Sequence, residues 1–379
     1  MAKAKAMPIH PFFSEKGILI PVMLLSAIGI IMVYSASAAV SIKEHQTLFF
    51  FVKKQAFFLG VGVFAMYVAS ALPYFIYRSF AYPILILALG LLAAVHLGLG
   101  VEAGGATRWL DIGVATVQPS EFAKLAMVLF MAYSLAKKQD MIQDASIGFI
   151  PHLFIFGLVS ALIYFQKDLG TLVVLGIVCW GMMFTAGVKK RYLLSPAPLL
   201  IPGFYFMVWM VHHRRERIIA FLNPWEHEKG VAFQVVNSLK TIGDGGIFGK
   251  GVGLGIMKLN NLPEPHTDFI FSVIGEEMGL VGMLAVIALY GWLLWKGFKV
   301  AREAKSPFGA FIATGITLFI GSQALINMAV CLSIIPAKGL TLPFISYGGS
   351  SLVTNLIAMG ILMNISARKH MEDPHDTTH

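Results

Sequence analysis

Five titratable side chains, Glu264, His266, Asp268, Glu276 and Glu277, crowd the stretch NNLPEPHTDFIFSVIGEEMG (260–279) of a chain in which only 13% of residues are charged. Asp268 stands where this polar segment meets an apolar run. A carboxylate beside hydrocarbon loses hydration, which raises its pKa and makes it a better base near neutrality, whereas neighbouring cations pull the other way. At a helix start the same aspartate also suits an N-cap or first-turn role. Glu264 lies four residues earlier, but Pro265 follows it, so the two carboxylates need not share a helical face. His266 is expected to bridge polar groups, without a catalytic role. Glu276 and Glu277 fall deeper in the apolar run, where charge is costly and a partner is required. A proton relay is one role for them, and a structural ion pair is the favoured one.

Cations gather at comparable places. In GGATRWLDIGVATVQPSEFAK (104–124), Glu121 and Lys124 are spaced to pair on one helical face, after the helix-starting Pro119 and Ser120. Lys124 lies about one turn inside the apolar run, so it either pairs with a carboxylate or awaits a phosphate. QKDLGT (166–171) and PAKGLTLPFISYGGSS (336–351) add Lys167, Asp168 and Lys338. Between the seventh and eighth apolar runs, residues 212–267 carry Arg214, Arg215, Arg217, Lys229, Lys240, Lys250 and Lys258. That loop is either solvated and basic or a site for an anionic ligand, arginine being a good phosphate partner. It holds FLNPWEHEKGVAFQVVNSL, with the spacing of an amphipathic helix lying on a membrane. Glycines at 249, 251, 253 and 255 follow, outside any strand–helix context, and are expected to serve close backbone packing rather than a nucleotide.

The elements that must position these groups are helices across a membrane. The hydrophobic fraction is 57% and the mean hydropathy +0.75, above the usual range of a soluble domain. Runs such as GILIPVMLLSAIGIIMVYSA (17–36) and YPILILALGLLAAVHLGLG (82–100) are about 20 residues long, which spans roughly 30 Å of hydrocarbon. Ten spans are expected: 17–36, 50–72, 82–100, 119–136, 149–165, 169–187, 192–211, 268–291, 308–331 and 344–365. The fold class is therefore an all-α polytopic membrane protein, a single membrane domain over 1–379. It has a large extracytoplasmic loop, 212–267, between helices 7 and 8 and a tail at 366–379. The first run is longer than a signal-peptide core and is read as an uncleaved helix. Fifteen lysines and arginines, among them Lys137, Lys138, Lys189 and Lys190, collect on one side, against about six in the short loops of the other. Both termini are therefore expected to be cytoplasmic, in the cytoplasmic membrane. Cys179 and Cys331 each sit in an apolar run and imply no disulfide framework. No internal repeat is evident, which disfavours a repeat-built transporter.

The physical picture is a helical bundle with an outward-facing cavity, one well-placed carboxylate and several cations. It suits attack by a sugar hydroxyl on a lipid-linked phosphate, and it suits equally the binding of such a lipid for transport. The motifs separate these more than composition does. GATRWLDIG…QPSEFAK (105–124), DLGT (168–171), FLNPW (221–225), LPEPHTDFIFSVIGEEMG (262–279) and KGLTLPFISYGGSS (338–351) resemble the SEDS family of bacterial shape, elongation, division and sporulation proteins. The resemblance runs from VYSAS (33–37) to GILMNIS (360–366), and its wording is closer to the division branch than to the elongation branch.

That resemblance implies a peptidoglycan glycosyltransferase that polymerises lipid II into β-1,4 glycan strands at the outer face of the cytoplasmic membrane and releases undecaprenyl diphosphate. A lipid II flippase, a scaffold role, and the elongation or sporulation branch are the alternatives. The family's catalytic aspartate falls on Asp268, its functional glutamate on Glu264 and its motif lysine on Lys338. Lys124 and Arg108 match positions lining the family's central cavity. Arg214, Arg215 and Arg217 are suggested by charge, not by motif, as diphosphate contacts. The implied partners are lipid II, the nascent glycan strand, a class B penicillin-binding protein that cross-links it, other division membrane proteins and membrane lipid, with no nucleic acid. The implied place is the division septum. No protein metal site is expected, although a divalent cation such as Mg or Mn is a candidate for neutralising the leaving group. One departure is visible: Lys167 stands where the family commonly has proline in Q-P-D-L-G-T.

Overall fold

Apolar runs of this length satisfy their backbone in lipid only by closing it into helices, and helices dominate the computed structural model. It describes residues 10–103, 106–113, 116–198, 202, 205, 210, 215–216, 219, 221–228, 230, 232–257, 262, 264–336 and 338–368. The helices that matter for the site are α1 (Lys16–His45), α2 (Phe50–Ala71), α3 (Ile76–Ala94), α4 (Pro119–Lys137), α5 (Ile150–Phe165) and α6 (Leu169–Thr185). After the long loop come α7 (Phe233–Gly245), α8 (Ile270–Glu303), α9 (Pro307–Cys331) and α10 (Gly349–Ala367). Among the described residues, seven helices are long and apolar enough to cross a membrane, and α6 is a shorter apolar one. Half of the expected span at 192–211 lies outside the described residues.

The bundle is layered by burial. Of the apolar windows of α9 and α10, 83% and 78% are buried, against 22% for α2. Helices α9 and α10, with α4, form the interior, and α2, α3 and α5 turn large apolar side chains such as Phe64, Ile86 and Phe154 outward. In a bilayer those residues meet lipid, so their exposure needs no further partner.

Three features differ from the sequence-based expectation. First, the segment after α3 is not all helix: β1 (Gly100–Ala103), β2 (Ala106–Asp111) and β3 (Thr116–Val117) form a three-stranded antiparallel sheet in the order β1-β2-β3. Thr107, Trp109, Thr116 and Val117 are strand-favouring types. Val101 pairs with Trp109 and Glu102 with Thr107, so Arg108 is the extra residue of a bulge. Second, α8 runs to Glu303 but breaks at Gly279, whose φ of 67° and ψ of −166° lie outside the helical region and are open to glycine alone. Third, α10 begins at Gly349 rather than 344. Phe344 has a φ of 68° and Pro343 precedes it, so 338–348 is an irregular clasp instead of helix.

Candidate active site

The N-terminal ends of α4, α6, α8 and α10 and the small sheet meet at one end of the bundle around a cavity of about 450 Å³. Helix N-termini carry unpaired N–H groups and a positive partial charge, so their convergence favours an anionic guest. Gln118, Asp168, Gly348 and Ser350 bring three of those ends to the cavity wall, and Arg108, Glu264 and Asp268 line it as well. Asp168 spends its carboxylate on α6: Oδ1 accepts from the Thr171 N–H (3.1 Å) and Oδ2 from the Thr171 hydroxyl (2.8 Å) and the Ser120 hydroxyl (3.3 Å). Gly348, at the start of α10, provides no side-chain cap, which leaves that terminus open to the cavity.

Asp268 is held by its backbone and left free at its side chain. Its carbonyl accepts from Asn327 Nδ2 on α9 (2.9 Å), and that amide also donates to the Leu340 carbonyl (2.6 Å), joining the start of α8 to the 338–348 clasp. Ser346 Oγ donates to the Thr267 carbonyl (2.6 Å), and the Tyr347 N–H to the His266 carbonyl (2.9 Å). The half-buried Asp268 carboxylate accepts no hydrogen bond among the described residues. A Cβ at position 339 would stand 3.0 Å from its Oδ2, so Gly339 keeps clear the space into which the carboxylate points. Burial above all, helped by Glu264 and Asp168 and opposed by Arg108, raises the Asp268 pKa to about 7. A carboxylate without donors, titrating near neutrality at a cavity wall, is equipped to take a proton.

Arg108 is aimed by its bulge. Nε donates to the Gln166 carbonyl (3.0 Å) and Nη2 to the Lys167 carbonyl (2.9 Å), fixing the guanidinium at the cavity wall. Lys167 has a φ of 59°, a value proline cannot adopt, so the turn that receives Arg108 depends on the departure noted in the sequence. Glu264 is exposed at the cavity mouth with a φ of 48°. His266 is buried between Phe51 and Tyr347, with ring centroids 4.7 Å and 5.7 Å away. Burial lowers its pKa to about 4, so it is neutral at physiological pH and packs as an aromatic ring.

The other expected cations fall elsewhere. Lys124 is only 1% exposed, and its amino group donates to Glu121 Oε1 (2.9 Å) and Gln323 Oε1 (2.7 Å). Of the two roles open to it, the structure shows the carboxylate pair. Gln323 passes the contact on to the Thr341 carbonyl (3.0 Å), so Lys124 supports the cavity floor from behind. Lys338 adjoins the wall residue Gly339 but is not itself among the lining residues, and partial burial lowers its pKa. Arg215 is partly buried and does not line this cavity, and Arg214 and Arg217 lie outside the described residues.

Glu276 and Glu277 lie outside the set of residues that line the cavity. Glu276 Oε1 accepts from the N–H groups of Ile256 (2.7 Å) and Met257 (3.0 Å). Glu277 accepts from the Gly253 N–H (3.0 Å) and the Ser35 hydroxyl (2.5 Å). Among the described residues these carboxylates hold backbone amides and a hydroxyl, where the sequence favours a structural ion pair. Asn327 and Gly339 are the residues that sequence reasoning missed. Asn327 sits mid-run in INMAVC, and a carboxamide in an apolar helix was the available signal.

The cell cycle protein model shared by FtsW, RodA and SpoVE matches residues 16–371. A protein of Geobacter metallireducens named "probable peptidoglycan glycosyltransferase FtsW" is 44% identical over 352 residues, covering 93% of this chain and 94% of that one. Stage V sporulation protein E of Bacillus subtilis is 40% identical over 345 residues, covering 91% and 94%. Among solved structures, a chain described under the coordination of polymerization and crosslinking by a peptidoglycan synthase complex superposes with a TM-score of 0.80 at 28% identity, covering 94% of this chain and 99% of that one. The rod shape determining protein RodA of Thermus thermophilus superposes with a TM-score of 0.69 at 27% identity, covering 94% and 98%.

Proposed function

The chain belongs to the FtsW/RodA/SpoVE family of cell cycle proteins, and from that premise we propose that it polymerises lipid II with Asp268 as catalytic base. It is an integral membrane protein and, like its FtsW relatives, a peptidoglycan glycosyltransferase. The observation that carries the assignment of the base is the Asp268 carboxylate itself: it faces the cavity, accepts no hydrogen bond among the described residues and titrates at about 7.

In this mechanism Asp268 removes the proton from the 4-hydroxyl of the acceptor N-acetylglucosamine. The freed oxygen attacks the anomeric carbon of the donor, a β-1,4 bond forms with inversion, and the bond to the diphosphate breaks. Its electron pair leaves with undecaprenyl diphosphate. One carboxylate suffices because diphosphate leaves without protonation, unlike the sugar oxygen of glycoside hydrolysis. Arg108 and the open N-terminus of α10, with Ser350 and Ser351, are the groups placed to stabilise the departing charge. Among the described residues no cluster of three or more His, Cys, Asp or Glu is arranged to hold a metal. Were a Mg or Mn ion used, a cavity carboxylate such as Glu264 would help to hold it, and it would supply positive charge to the leaving diphosphate.

A transporter would ask Glu276 and Glu277 to relay protons. Both are engaged in holding backbone, which supports the enzyme reading instead. The crosslinking complex among the structural relatives supports a class B penicillin-binding protein as partner. The FtsW relatives support a place at the division septum, and the positive residues support cytoplasmic termini. The test is polymerisation of lipid II by the reconstituted protein with its partner, wild type beside Asp268→Ala. Glycan strands from the wild type alone are expected. Equal product from both would reduce Asp268 to a structural residue.

A further inference from the structure

Residues 246–257, in a segment the sequence places in an extracytoplasmic loop, pair much of their backbone within the protein. The N–H groups of Gly249, Lys250, Gly251 and Leu254 donate to the carbonyls of Gly245, Glu276, Glu277 and Gly251. Those of Gly253, Ile256 and Met257 donate to the buried carboxylates of Glu277 and Glu276. In return the Gly246 and Ile247 carbonyls accept from Leu280 and Val281, whose N–H groups are freed by the break at Gly279. Seven of the segment's twelve N–H groups are thus paired outside any regular element, more than an irregular segment in water needs, because water supplies the rest there. In hydrocarbon every unpaired group costs several kcal/mol.

The side chains agree with the backbone. Ile247, Phe248, Val252, Leu254 and Ile256 all point outward, and Phe248 is 82% exposed. The loop lies against Leu280 and Val281, which are exposed and head the outward stripe of α8 that continues through Leu284 and Ile287 to Trp292 and Trp295. Lys296 and Lys299 follow Trp295, marking the far membrane interface. Counting back about 20 residues, the length of a span, reaches Glu276. The rungs that fix the loop, residues 276–281, therefore lie within the near edge of the hydrocarbon.

We propose that residues 246–257 form a re-entrant loop seated in the acyl layer of the leaflet on the cavity side, with Glu276 and Glu277 serving as its backbone acceptors. The occupant of its apolar face is lipid, because that face is continuous with the lipid-facing stripe of α8. Lys250, paired with Asp244, is the one charged side chain of the loop and sits at its shoulder. Gly255 permits the arrangement, since a Cβ there would stand 2.6 Å from Glu276 Oε2. This inference does not depend on the glycosyltransferase activity.

The test is site-directed spin labelling of the full chain in proteoliposomes of phosphatidylethanolamine and phosphatidylglycerol. Phe248→Cys and Leu254→Cys are labelled separately, with Met141→Cys, in the exposed turn after α4, as the aqueous reference. The native Cys179 and Cys331 are buried. Collisions with dissolved oxygen are expected to exceed those with a water-soluble nickel chelate at positions 248 and 254, with the ratio inverted at 141. Dominant nickel collisions at both loop positions would place the loop in water and overturn the proposal. Immobile labels shielded from both reagents would also overturn it, by showing a protein partner over that face.

Discussion

Glu264 and Asp268 stand just before the first turn of α8, and Glu276 and Glu277 stand just inside it, yet the two pairs end in opposite states. The inner carboxylates are the more deeply buried, and both are supplied with donors: backbone amides of the 253–257 segment and the Ser35 hydroxyl. Asp268 lies half-buried at the cavity wall with no donor to its carboxylate among the described residues, and its pKa rises to about 7. Burial alone therefore does not make a base. What separates a reactive carboxylate from a structural one here is whether the fold supplies hydrogen bonds to the ionised form.

Removing the charge of each carboxylate in turn breaks the comparison most sharply. Asp268→Asn is expected to lower the polymerisation rate on the order of 10²- to 10⁴-fold, the usual worth of a general base. It should leave thermal stability at neutral pH unchanged or raised. The sign follows from the raised value: ionised Asp268 costs folding nothing below its unfolded value near 3.8, and the cost grows as pH climbs to about 7. Rate by product gel and Tm by scanning fluorimetry check both halves.

Glu276→Ala should do the reverse. It orphans the Ile256 and Met257 amides, at about 1–3 kcal/mol for each buried donor left unpaired. A lower Tm is expected, with a nearly normal rate in the fraction that stays folded. A rate that collapsed at unchanged Tm would restore the proton-relay role.

Smaller effects sharpen the outer pair. Glu264 raises the Asp268 pKa and Arg108 lowers it. Glu264→Gln should therefore move the acid limb of the pH–rate profile to lower pH, and Arg108→Gln should move it to higher pH, with a loss of rate from the missing cation. Shifts in the same direction would contradict the electrostatic account. Gly339→Ala should lower kcat modestly, because the added methyl crowds the Asp268 carboxylate at 3.0 Å.

The helices were legible because hydrocarbon imposes one length and one composition on every span. Asp268 was legible as a polar group at a span boundary, and its assignment as base came from the HTDF motif rather than from periodicity. The sheet at 100–117 was hidden because strands of two, four and six residues leave little signal beside the much longer helical runs. The pairing of Lys124 with Glu121 was open to the sequence, but Gln323 is distant in sequence and only the packing of α4 on α9 brings it to the lysine. The pairing of the 246–257 loop was hidden for a similar reason. Its amides are paired by carboxylates 20 residues away, and no local pattern records that.

The most direct measurement is kcat/KM for lipid II polymerisation as a function of pH, with the reconstituted chain and its penicillin-binding partner. The account predicts a rate that rises with pH through a single inflection near 7, where Asp268 loses its proton. A profile already flat through that range, with its inflection near the ordinary carboxylate value of 3.8, would mean that Asp268 is solvated or paired in the working enzyme and would contradict it.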